Sequence, residues 1–145
     1  MTTTKELSDK LKSSNGFIGV FSRNELPKIK SLPASLVINT DPSYRLGEHW
    51  VAIYINEDGF GVYFDSYGLS PLIQEFIGFL NNNCPNGWTY NSTTVQGLHS
   101  ITCGEYCVLF VYMSSIGYSL CKIIKLFTSD LELNDKIIDN IYKKL

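Results

Sequence analysis

A cysteine, Cys103, stands where the polar stretch Gln96-Gly97-Leu98-His99-Ser100-Ile101-Thr102 gives way to an almost wholly apolar run ending near Ser115. A run apolar on every face reads as a buried central helix, and its predicted start falls on Cys103. A thiol placed there meets backbone N–H groups without helical partners and the positive end of the helix dipole, both of which favour thiolate. The same N–H groups suit an oxyanion forming on a carbonyl that the sulfur attacks, and the side-chain amide of Gln96 is a further candidate donor. The plain alternative for such a cysteine is a small buried hydrophobe.

A base is offered by a hairpin. Trp50 to Ile55 and Phe60 to Asp65 are rich in β-branched and aromatic residues, and Asn56-Glu57-Asp58-Gly59 lies between them with glycine available for a left-handed turn position. Residue numbers of antiparallel partners have a constant sum. A turn centred on Glu57 sets His49 directly opposite Asp65; one centred on Asp58 sets Asp65 opposite Val51, with His49 its diagonal neighbour. Strand faces alternate with period two, so His49 and Asp65 share a face in both registers. A carboxylate beside an imidazole fixes its tautomer and keeps it basic. The hairpin alone fits equally well a His–Asp pair that only ties down a strand end. Cysteine, His–Asp pair and amide within one small chain favour nucleophilic catalysis.

The competing groups are weaker. Cys107 lies one turn deeper in the helix, where burial raises its pKa and no N–H is free. Cys121 follows that helix, and Cys84 sits in a Pro/Asn/Gly loop with no base in view. His99 is too near Cys103 in the chain to have an orienting strand partner, and Glu48 points to the face opposite His49.

With 145 residues, 44% hydrophobic and 18% charged, residues 1–145 read as one globular domain. A net charge of −2 gives no general attraction to nucleic acid, and pairs such as Lys28 and Lys30 or Lys143 and Lys144 read as solvated faces. No apolar run is long enough to span a membrane, and Met1 to Ser14, with Leu7 and Leu11, reads as a short helix rather than a signal peptide. The expected setting is therefore intracellular, not secreted. There the four cysteines need not pair, and Asn91-Ser92-Thr93 is an accidental glycosylation pattern. Neither the cysteines nor the two histidines have zinc-ligand spacing, so no metal and no cofactor are expected.

Strands are predicted over Phe17 to Phe21, Ser35 to Thr40, the two hairpin arms and Trp88 to Val95, the last at or near an edge. Ser70 and Pro71 read as the cap and first residue of a helix carrying Phe76, Phe79 and Leu80; Asp130 to Leu145 is a final amphipathic helix. Helices and strands are segregated, which gives an α+β class with an antiparallel-containing sheet.

His49-Trp50, Phe64-Asp65 followed by Gly68, and Val95-Gln96-Gly97-x-x-Ser100-x-x-Cys103-Gly104 resemble, in order and spacing, the adenain family of viral cysteine endopeptidases, whose clan includes the SUMO-deconjugating proteases. The resemblance extends from Lys5 to Tyr112, taking in Gly16 to Pro27 and Val37-Ile38-Asn39-Thr40; the last thirty or so residues match only as helical material. It implies Cys103 as nucleophile, His49 as base, Asp65 as orienter (adenain has Glu there, the SUMO proteases Asp) and Gln96 as oxyanion donor. Trp50 and Gly104 would shape a narrow cleft for small residues such as Gly. It implies polypeptide substrates, viral or virus-like-element precursors including capsid components, and a monomer. Cys84 lies near the position of the cysteine by which adenain bonds an activating peptide. This chain is shorter and less basic than adenain, so a DNA cofactor is not expected. Two other readings remain open: a ubiquitin-like-modifier deconjugase using the same residues, and an inactive binding module of the same fold.

Overall fold

The alternation of side chains along three central strands separates two apolar cores. In the computed structural model, which describes residues 1–45 and 47–145, β1 (Phe17–Ser22), β2 (Ala34–Asn39), β3 (Trp50–Ile55), β4 (Gly61–Phe64) and β5 (Trp88–Tyr90) form one sheet in the order β1-β2-β3-β4-β5. The outer pairs, β1 with β2 and β4 with β5, run parallel; β2–β3 and β3–β4 are antiparallel. Val37, Ala52, Trp50 and Phe64 face one way, onto α1 (Thr4–Leu11), α3 (Cys103–Ser115) and α5 (Leu131–Lys144). Leu36, Ile38, Val51, Ile53, Ile55 and Tyr63 face the other way, onto α2 (Gln74–Asn83). This is an α+β fold with a mixed sheet packed by helices.

Helix α3 is the central pillar. Val108, Leu109, Phe110 and Val111 are all buried, and the Phe110 ring stacks on Phe64 with centroids 4.8 Å apart. Its apolar content on every face follows from having the sheet on one side and α1 and α5 on others. α1 is closed by a capping box between Thr3 and Glu6 and buries Leu7 and Leu11. α5 is capped by Asp130, whose side chain accepts from the Leu133 N–H. A short α4 (Leu120–Ile124), capped by Ser119 and not anticipated from sequence, carries an exposed Cys121.

Two expected elements differ. The helix expected to open at Ser70-Pro71 begins at Gln74, and its first bonds run from the Phe76 and Ile77 N–H groups to the Ile73 carbonyl. Starting there turns Phe76, Phe79 and Leu80 together into the core, while Leu72 is left 78% exposed beside the site described below. The strand expected over Trp88 to Val95 stops at Tyr90. Beyond it the Asn91 side chain takes over strand pairing, accepting from the Asp65 N–H at 2.9 Å and donating to the Asp65 carbonyl at 2.6 Å. A side-chain amide offers the same donor and acceptor as a peptide group. β5 is an edge strand, as expected.

Among the described residues no helix is long and apolar enough to cross a membrane. β4 begins at a glycine for a steric reason: a Cβ on Gly61 would lie 2.5 Å from the Cys84 sulfur. Gly61→Ala is therefore expected to destabilise the fold by about 1–3 kcal/mol. Adding Cys84→Ala should recover part of that loss, and thermal melting of both single variants and the double variant measures the coupling.

Candidate active site

The hairpin adopts the register centred on Asp58, with Ala52 opposite Phe64 and Ile53 opposite Tyr63. Its turn is closed by Asn56, whose N–H donates to the Phe60 carbonyl and whose side chain accepts from the Asp58 and Phe60 N–H groups; Gly59 takes φ +80°. His49 and Asp65 lie one residue beyond the ends of β3 and β4. The Thr40 N–H donates to the His49 carbonyl at 2.8 Å, carrying the β2–β3 ladder one step past Trp50. His49 Nε2 and Asp65 Oδ1 are 2.9 Å apart, as diagonal neighbours on one face. With the carboxylate as acceptor, Nε2 carries a proton and Nδ1 is the nitrogen left to face Cys103.

Asp65 is itself fixed at several atoms. Its Oδ1 also accepts the Tyr67 N–H at 2.8 Å, and its backbone is held by Asn91. The Asp65–Gly68 turn closes through the Gly68 N–H and the Asp65 carbonyl at 2.7 Å. Gly68 has φ +73°, and a Cβ there would meet the Thr93–Thr94 backbone at 2.8–2.9 Å, so glycine is required twice over. The turn also brings the Tyr67 ring onto His49, with centroids 5.0 Å apart and planes 23° apart. Two faces of the imidazole environment are thus set by residues 65–67.

Cys103 is the first residue of α3, as the sequence predicts, and is buried. Thr102 precedes it without capping the helix through its side chain, so the N–H groups of the first turn have no side-chain partner there. Gln96 is fully buried; its Oε1 accepts from the Ser66 hydroxyl at 2.5 Å and its Nε2 donates to the Ser100 carbonyl at 3.1 Å. These bonds settle the amide's orientation and leave one N–H of Nε2 uncommitted. His49, Asp65, Gln96 and Cys103 line a single cleft of about 480 Å³, together with Tyr67, Leu69, Leu72 and Ile101.

Electrostatics follow the geometry. Burial pulls the His49 pKa down, but the hydrogen bonds to Asp65 and then to Cys103, with the negative charge of both, outweigh it and raise the pKa from 6.5 to about 9. Such an imidazole is protonated at neutral pH, which suits a thiolate–imidazolium pair. Cys107 is wholly buried, and desolvation pushes its thiol well above the ordinary range. Cys84 is buried against Gly61, and desolvation raises its thiol to about 11. Bonding a peptide through Cys84 would require that packing to open. His99 is exposed and does not line the cleft, whereas exposed Glu48 does, at its rim.

Trp50 and Gly104 do not open onto this cleft. Trp50 is buried beside Gly104, and its indole N–H donates to the Thr2 carbonyl at 3.0 Å. A Cβ on Gly104 would fall 2.4 Å from the Thr2 hydroxyl and 3.2 Å from Trp50 Cδ1. Thr2 thus covers both residues, Trp50 through its main-chain carbonyl and Gly104 through its side chain, and Met1 reaches the cleft itself. Among the described residues no cluster of His, Cys, Asp and Glu is placed to hold a metal.

The arrangement of strands and helices has solved counterparts. The chain superposes on the ASFV pS273R protease with a TM-score of 0.64 at 17% identity, over 95% of this chain and 66% of that one. It matches ChlaDub1 from Chlamydia trachomatis with a TM-score of 0.56 at 14% identity, over 97% and 74% of the two chains. The central domain of Lpg1148 from Legionella pneumophila gives 0.56 at 13% identity, over 99% and 96%. The fold is SUMO-protease-like. This chain spans just under two thirds of the ASFV protease. No protein-family model and no curated protein matches the sequence; what is shared with these structures is the fold.

The His49 pKa implies a pH dependence. A group more basic in the fold than its ordinary value stabilises fully below about pH 6.5, and that contribution is lost as pH rises through about 9. Urea denaturation across this range should show wild-type stability falling more steeply than that of His49→Gln, which has no imidazole to titrate. Parallel curves for the two proteins would contradict the His49 assignment.

Proposed function

We propose that the protein is a cysteine endopeptidase with Cys103 as nucleophile, His49 as base and acid, Asp65 as orienter and Gln96 as oxyanion donor. The observation that carries this reading is the 2.9 Å His49–Asp65 bond at the hairpin end, in one cleft with a cysteine that opens an uncapped helix. One fold neighbour, the ASFV pS273R protease, is consistent with it.

In this mechanism the Cys103 thiolate attacks the scissile carbonyl carbon, and the carbonyl π electrons move to oxygen. The oxyanion meets the uncommitted Gln96 N–H and the backbone N–H groups at the start of α3. Protonated His49 gives its proton to the leaving amine as the C–N bond breaks, leaving a thioester. His49 then takes a proton from water, which adds to the thioester and releases the acid and the thiolate. Asp65 stays ionised and holds Nε2 throughout.

Substrates are polypeptides with small residues on the acyl side of the cut. The space over Gly104, bounded by Trp50, is occupied by the small side chain of Thr2, and a substrate that reached it would have to displace that residue. The resemblance to adenain and the fold shared with the ASFV protease favour viral or virus-like-element precursors, capsid components among them, as natural substrates. Proteome-wide mapping of cleavage sites with purified enzyme tests this: cuts after Gly-containing small-residue motifs in such precursors are expected. Preferential release of a folded ubiquitin-like modifier from a fusion would favour the deconjugase reading instead.

Cys103→Ala should abolish hydrolysis with the fold intact, while Cys107→Ala keeps most activity, as steady-state peptidase assays and melting curves will show. A dead Cys107→Ala beside an active Cys103→Ala would move the nucleophile. Gln96→Ala should lower kcat by roughly 10²–10³ with a smaller change in KM, the scale of one lost oxyanion donor.

A further inference from the structure

We infer that Asp135, on the C-terminal helix α5, is a positioning residue that holds the loop between Gln96 and Cys103 and keeps the start of α3 open for an oxyanion. This rests on the endopeptidase reading above.

The Asp135 carboxylate gathers donors from both ends of that loop. It accepts the Gly97 N–H through both oxygens, at 3.3 and 3.2 Å. It accepts the Thr102 hydroxyl at 3.1 Å and the Tyr106 hydroxyl at 2.8 Å. Gly97 follows Gln96 and Thr102 precedes Cys103, so one side chain ties down both ends of the segment. The close approach depends on glycine, because a Cβ on Gly97 would lie 2.6 Å from Asp135 Oδ2. Neighbouring Asn134, fully buried, donates to the Val95 carbonyl at 3.1 Å and secures the residue before Gln96.

The bond to Thr102 has a second effect. Threonine in the N-cap position ordinarily accepts an N–H of the first turn through its hydroxyl. Here that hydroxyl donates to Asp135 and makes no cap bond. Its oxygen pairs instead with the Ser100 hydroxyl at 2.9 Å, and the Ser100 carbonyl takes the Gln96 amide at 3.1 Å. A chain of hydrogen bonds thus runs from Asp135 to the Gln96 side chain. Thr102 stands at φ −92°, ψ 9°, outside the extended region from which threonine caps. Without the carboxylate that holds both ends of the loop, its backbone is released to reach that region and cap the N–H groups that the oxyanion needs, and the Gln96 amide loses its support.

The test is Asp135→Ala, with Asp135→Asn as the conservative variant, since Asn keeps one carbonyl oxygen to accept from Thr102 or Tyr106. For Asp135→Ala, kcat should fall roughly 10- to 100-fold, less than full loss of a donor, with KM within about threefold. Alkylation of Cys103 by iodoacetamide builds no oxyanion and should stay within about threefold of wild type. Asp135→Asn should recover a measurable part of kcat. Unchanged kcat overturns the inference, as does a parallel fall in kcat and alkylation matching the folded fraction. If Asp135→Ala does not fold, Gly97→Ala, which displaces the carboxylate, should show the same split. Should wild-type protein hydrolyse no peptide, the endopeptidase reading fails separately. Hydrogen exchange then decides the positioning role: amides of residues 97–102 should exchange at least about tenfold faster in Asp135→Ala, with β3 and β4 unchanged, and equal exchange overturns it.

Discussion

The site depends on a register. Because the hairpin turn centres on Asp58, the paired ends of β3 and β4 leave His49 and Asp65 as diagonal neighbours on one face, 2.9 Å apart through their side chains. One residue added to or removed from the turn would flip one arm relative to the other and separate them. That register is secured by Asn56 and Gly59 at the turn and by the burial of Val51, Ile53, Ile55 and Tyr63, which strand alternation places on the same face as His49 and Asp65. A slip would turn those four side chains away from their core. Helix α3 packs its apolar residues on the same face as Phe64, so its N-terminus and Cys103 arrive at the end of the hairpin where His49 waits.

Around this geometry the polar groups form a second level of order. Asp65 is held at its backbone by Asn91 and at its carboxylate by His49 and the Tyr67 N–H. Gln96 is held by Ser66 and Ser100. Buried polar groups satisfied in this way rigidify a site, because each alternative arrangement would strand a donor or acceptor. The elevated His49 pKa follows from the same arrangement: an imidazole that would resist charging when buried is offset by a fixed carboxylate on one side and a thiol on the other.

Much of this was legible in the sequence, for identifiable reasons. The α3 start at Cys103 could be read because an almost wholly apolar run, broken only by Glu105, begins there, and the His49–Asp65 pairing because strand periodicity admits few registers. The choice between the two registers could not be read, since Asn56-Glu57-Asp58-Gly59 suits either. Pro71 suggested a helix start three residues early, because the phase that buries Phe76, Phe79 and Leu80 is decided by the core and not by the cap. The β-forming run after Trp88 overextended β5, since a side chain and not a strand continues the pairing at Asn91. Asp135 lay hidden because its partners are 29 to 38 residues away. The one local signal was adjacent Asn134, a polar residue on the buried stripe that holds Ile138.

The hydrogen bond between the Trp50 indole and the Thr2 carbonyl gives the molecule an optical handle. Indole emission moves to longer wavelength when water replaces a dry environment, and Trp50 is kept dry by a segment that only a few bonds hold in place. The chain contains just one other tryptophan, Trp88, half-buried on the edge strand and bonded to Asn81. With Trp88 replaced by Phe, the remaining fluorophore would register, in real time and without a label, whether polypeptide lies over Gly104 or has left it.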